Sequence, residues 1–284
     1  MGQRIYVVCT VLFSLIHNTE SSAVWGYDTQ GLRPGEWYLL YPSCGGRRQS
    51  PVDIYPERAL YDPTLEPFQL NGLRDLTNVK INLINKDYTV EVRPYGKPLK
   101  VTGGNLTGSY VVDQLHFHWG SEINVGSEHE YNGGYYPMEM HLVLHAEQFS
   151  SSEKAMNTPN GLAVMGVFVQ IGGHNRAFDV ILNNLDRIQQ KGSSVSIQTF
   201  DFSTLFPSTQ YYYRYYGSLT TPPCYESVIW TIFRDVVYIS EAQLRKFQAL
   251  GQSPTASQNL VDNFRDPQPL NGRIVRTNYP PYLE

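Results

Sequence analysis

Apolar and polar residues alternate along much of this chain in runs of strand length. Such runs occupy 79–84, 89–92, 110–119, 138–144, 163–171 and 227–233, rich in β-branched and aromatic residues and separated by turn formers. Two segments follow a helical period instead. Phe178, Ile181, Leu182 and Leu185 keep the i, i+3, i+4, i+7 spacing of one buried stripe, with Gly192 as a stop. Ser240-Glu241-Ala242-Gln243 reads as a capping box that opens a second helix carrying Leu244 and Phe247. Residues 25–51, punctuated by Gly31, Pro34, Gly45 and Gly46, predict irregular structure lying on the main body. No internal repeat, heptad run or long linker appears, so 23–284 read as one mainly β domain.

Two of the strand runs also carry chemistry. In Gln114-Leu115-His116-Phe117-His118-Trp119-Gly120 the two histidines leave one strand face and Leu115 and Phe117 leave the other. In the second run Glu139, His141 and Val143 share a face. Three imidazoles can thus converge from two neighbouring strands. Three protein ligands leave the fourth position of a tetrahedral Zn²⁺ open, the pattern of a catalytic rather than a structural site. Taken singly, each histidine reads as an ordinary core or surface residue; the combination points to a metal.

Composition adds limits. At 284 residues, with 41% hydrophobic and 13% aromatic content, the chain can build a sizeable core. A net charge of -4 and a pI near 6.0 offer no basic stripe for phosphates, so nucleic acid is not an expected partner. Residues 1–22 read as a signal peptide: Arg4 precedes an apolar run over 5–16, too short to span a bilayer, and Ser21, Ser22 and Ala23 follow. Cys9 falls in that segment. The remaining pair, Cys44 and Cys224, is expected to form a disulfide, with two buried free thiols as the alternative. Asn105-Leu106-Thr107 is an N-glycosylation triplet in a Gly-rich stretch. These features together predict a secreted or extracellular cell-surface glycoprotein. Membrane attachment is expected only through an anchor not visible in this chain, and the oligomeric state is left open.

The blocks Gln-Leu-His-Phe-His-Trp-Gly (114–120), Gly-Ser-Glu-His (126–129), Glu-Met-His-Leu-Val (139–143) and Gly-Ser-Leu-Thr-Thr-Pro-Pro-Cys (217–224) strongly resemble α-class carbonic anhydrases, secreted or extracellular-type members included. Further similarity runs through 48–54, 161–166 and 267–273. The resemblance implies a central twisted, mostly antiparallel sheet of about ten strands with a few peripheral helices. It also implies a zinc lyase that hydrates CO₂ reversibly to bicarbonate and a proton, and that binds sulfonamide-type inhibitors.

Under that resemblance His116, His118 and His141 hold Zn²⁺ and lower the pKa of its water to about 7, so that zinc hydroxide attacks CO₂. Gln114 and Glu139 orient His116 and His141, and His129 supports this layer without being a ligand. Thr220 relays a hydrogen bond to Glu128, and the Thr220 amide with Val143, Val164, Leu219, Val228 and Trp230 receives CO₂. A catalytically silent binding module of the same fold is the alternative reading.

The chain departs from the family pattern in Asn85-Lys86-Asp87-Tyr88-Thr89-Val90, where Tyr88, or Lys86 under an alternative gap, aligns with the usual proton-shuttle histidine and neither restores an imidazole. A phenol with a pKa of about 10 is a poorer relay at neutral pH than an imidazole of about 6.5. Slower, more buffer-dependent turnover is therefore expected. His145 and His174 read as distant surface candidates for that task, and Ser152, Glu91 and Tyr225 are expected to reshape the cleft rim.

Overall fold

A computed structural model of the chain describes residues 25–27, 31–86, 88–251 and 259–280. The segment 1–22, read above as a signal peptide, and Cys9 within it lie outside the described residues. The alternating runs assemble into a mixed thirteen-stranded sheet whose main path threads ten strands. Its centre is built from Val79–Asn85, Val90–Gly96, Tyr110–Trp119, Met138–Ala146 and Leu162–Ile171, each antiparallel to the next. Beyond them Leu162–Ile171 runs parallel to both Val228–Phe233 and Val237–Ile239.

The two faces of these central strands feed two different cores. Leu115, Phe117, Met140, Leu142, Leu144 and Val167 belong to the larger cluster, together with Phe178, Leu244 and Phe247. On the other face Val143, Leu162, Val164, Val228 and Trp230 form a smaller cluster beside the histidines. Period-two alternation is the cause, since a one-residue slip would exchange the faces.

The helices are short. Glu241–Gln248 begins with the expected capping box, Ser240 accepting from the Gln243 amide. The stripe Phe178, Ile181, Leu182 and Leu185 is fully buried, but it rides on three pieces, Arg176–Phe178, Asp179–Leu182 and Leu185–Ile188, instead of one helix. Asn184 interrupts it by turning its amide back onto the Val180 carbonyl, a local bond that competes with helix propagation.

Residues 34–45 fold as two short 3₁₀ turns against the sheet. A Cys44–Cys224 disulfide ties them to the loop that follows Gly217, with Cα atoms 4.9 Å apart. Asn105 lies exposed in a turn at φ 54°. Among the described residues no helix is long and apolar enough to cross a membrane.

Candidate metal centre

Tyr110–Trp119 and Met138–Ala146 pair in a register that sets His116 directly opposite His141 and His118 opposite Glu139. His116 Nε2 lies 3.0 Å from His118 Nε2 and 3.3 Å from His141 Nδ1. The outward nitrogen of each ring has its own acceptor. His116 Nδ1 donates to Gln114 Oε1 at 2.9 Å, His118 Nδ1 to the Asn263 carbonyl at 2.6 Å, and His141 Nε2 to Glu139 Oε1 at 2.7 Å.

Those acceptors fix the protons on the outside, so three lone pairs face one another. Burial pushes all three imidazoles down, His118 to about 3, and keeps them neutral at pH 7; neighbouring rings add to this for His116 and His118, while Glu139 opposes it at His141. Three convergent lone pairs repel unless a cation joins them. Donors bound at about 2.0–2.1 Å in a tetrahedron stand roughly 3.3 Å apart, which matches this spacing and favours Zn²⁺.

A second group of possible ligands, His129, Glu139 and His141, is spent on hydrogen bonds. Glu139 Oε1 accepts from His129 Nδ1 and His141 Nε2, and Oε2 accepts from the Glu128 and His129 amides. Burial works to raise this carboxyl, but His129 and His141 hold it well below the usual range. His129 completes the layer through Nε2, 2.7 Å from the Tyr215 hydroxyl. Gly166, opposite His141, has to be glycine, because a Cβ there would stand 2.9 Å from Glu139 Oε1 and 2.6 Å from Ile232.

Glu128 is fully buried at the edge of this centre, and burial pushes its carboxyl up, opposed by the hydrogen bond from Thr220. Oε1 accepts from the Arg265 amide at 3.0 Å. Oε2 has no hydrogen-bond donor and stands 3.4 Å from His118 Nε2, an orphaned acceptor facing the place a cation would take.

The centre opens into a cleft of about 250 Å³. Its apolar wall includes Val143, Leu162, Val164, Leu219 and Trp230, with Thr220 at the bottom. Val228 is buried behind that wall, beside Leu162 in the ladder, and does not line the cleft. Lys86, Tyr88, Glu91 and Arg93 also line the cleft. Tyr88 packs on Trp25, ring centroids 5.0 Å apart.

Ser152 and Glu91 reach the cleft, whereas Tyr225 lies in a separate depression with Ser43, Arg48 and Glu226. His174 is exposed and bonded to Asp179 at 3.0 Å. His145 is not the surface residue expected: it is buried and bonded to Asp113. Asn263 and Arg265 were not readable as site residues, because their contacts to His118 and Glu128 span more than a hundred positions and leave no local pattern.

A family model described as eukaryotic-type carbonic anhydrase matches residues 32–279. Human carbonic anhydrase 7 is 38% identical over 260 residues, covering 90% of this chain and 97% of that protein. Mouse carbonic anhydrase 3 is 35% identical across 90% of this chain and 98% of its own length, and mouse carbonic anhydrase 1 is 36% identical across 91% and 100%. These relatives correct one expectation. Carbonic anhydrases 7, 3 and 1 are cytosolic, and a single disulfide does not show export, so the secreted or extracellular localisation is withdrawn.

Proposed function

The chain belongs to the eukaryotic-type carbonic anhydrase family, enzymes of CO₂ hydration, and from that premise we propose that His116, His118 and His141 hold its zinc ion. The observation that carries this reading is the convergence of Nε2, Nε2 and Nδ1 with every outward N–H committed elsewhere. A bound zinc supplies a Lewis acid that makes water nucleophilic at neutral pH. The protein supplies orientation. Glu128 accepts from the Thr220 hydroxyl, which leaves that oxygen's lone pair to receive a hydrogen bond from the nucleophile and aim it. Val143, Val164, Leu219 and Trp230 give uncharged CO₂ an apolar seat beside the metal site. Metal analysis of purified protein, together with CO₂ hydration blocked by an aromatic sulfonamide, tests the proposal. A chain that carries zinc on these histidines yet hydrates no CO₂ would defeat it.

Proton export is the weaker step in this reading, because Tyr88 stands where an imidazole would serve. Tyr88→His is expected to raise kcat in weak buffer by about tenfold, with kcat/KM little changed, since a base matched to the working pH moves protons faster than a phenol. Stopped-flow hydration checks this, and an unchanged kcat would clear Tyr88 of limiting the rate. The new ring would start against Trp25, where Tyr88 now rests.

A further inference from the structure

One carboxylate and one imidazole beside the cleft have no part in the scheme above. Asp113 sits at the register shift between Val112 and Gln114, a bulge that takes it out of the ladder with Met138–Ala146. Its Oδ2 lies 2.7 Å from His145 Nδ1, with the two side chains 17% and 7% exposed. His145 follows His141 and Val143 on one strand face and pairs with Leu162, and both Val143 and Leu162 line the cleft. Asp113 also accepts a hydrogen bond from the amide of cleft-lining Ser152 and feels the charge of Arg93. The turn Ser152–Ala155 brings Glu153 and Lys154 to the same region. Among the described residues His145 Nε2 has no hydrogen-bond partner.

We infer that Asp113 and His145 form a proton relay for CO₂ hydration. By accepting from Nδ1–H, Asp113 holds the imidazole in the tautomer whose Nε2 lone pair is free to take a proton. Each hydration of CO₂ to bicarbonate releases one proton. Cleft water carries it to Nε2, an N–H bond forms there, and the bond breaks again when a buffer base or bulk water takes the proton away. His145 lies four positions after His141, about 13 Å along a strand, so the hand-over runs through water and not by direct contact. This inference rests on the reading that Tyr88 leaves the family's usual relay unfilled.

Stopped-flow CO₂ hydration of the zinc-loaded full chain in weak buffer tests it with His145→Gln and Asp113→Asn. His145→Gln should lower kcat by about tenfold while kcat/KM stays within about twofold, and added imidazole should restore kcat. Asp113→Asn, which keeps the shape and loses the charge, should show a smaller drop of the same kind. It carries the test alone if the histidine variant does not fold. An unchanged kcat overturns the relay. So does a parallel fall in kcat and kcat/KM that imidazole does not rescue, since that pattern belongs to a structural role. Failure of the zinc reading would appear separately, as negligible kcat/KM in the parent chain, and failure of the Tyr88 reading as a kcat loss in Tyr88→Phe.

Discussion

His118→Ala is expected to lower CO₂ hydration by about four orders of magnitude, because on the proposed assignment it removes one of three metal ligands. His118 is the ring held most tightly from outside. Its Nδ1 donates to the Asn263 carbonyl at 2.6 Å, while the Asn263 side chain accepts from the Trp119 amide at 2.7 Å and donates to the Phe117 carbonyl at 3.1 Å. Metal content measured beside stopped-flow rates separates loss of zinc from loss of chemistry. Retention of one zinc per chain with near-parental turnover would remove His118 from the ligand set.

The second large effect falls on stability. Replacing Cys44 and Cys224 together by serine is expected to cost about 3–5 kcal/mol, since the bridge closes a loop across 180 positions in the unfolded chain. That corresponds to a fall in Tm of roughly 10 °C for a domain of this size. The local consequence reaches the site. Cys224 lies four positions after Thr220, and Arg265, whose amide donates to Glu128, anchors its guanidinium on the Cys44 and Ser50 carbonyls and on Gln49. Thermal unfolding of the double variant checks the figure, and a melting temperature within error of the parent chain would refute it.

How much of this was legible in the sequence follows from the range of each interaction. The run 110–119 coincides with the strand Tyr110–Trp119, because period-two alternation is a local property that the buried faces enforce. For the same reason the two histidine-bearing strands could be read from their own residues. The capping box at Ser240 is equally local. The broken helix around Asn184 shows the limit. Its apolar stripe predicts burial correctly, yet a side chain competing for a backbone carbonyl decides the continuity. Tyr212–Gly217 was not among the expected strands, and only pairing with Val228–Phe233 and Arg276–Thr277 reveals it.

Contacts between distant segments were unreadable. Asn263 behind His118, Arg265 behind Glu128 and the burial of His145 beside Asp113 all depend on where a loop or bulge comes to rest after folding. The export prediction failed for another reason. It rested on an amino-terminal segment, a cysteine pair and a glycosylation triplet, none of which reports the compartment by itself, and the cytosolic relatives overturn it.

The most direct test removes the metal with a chelator and titrates zinc back while following CO₂ hydration. Activity should disappear on removal and return in proportion to zinc, saturating at one ion per chain. Hydration that persists in the metal-free protein, or stays absent after one equivalent has bound, would contradict the account.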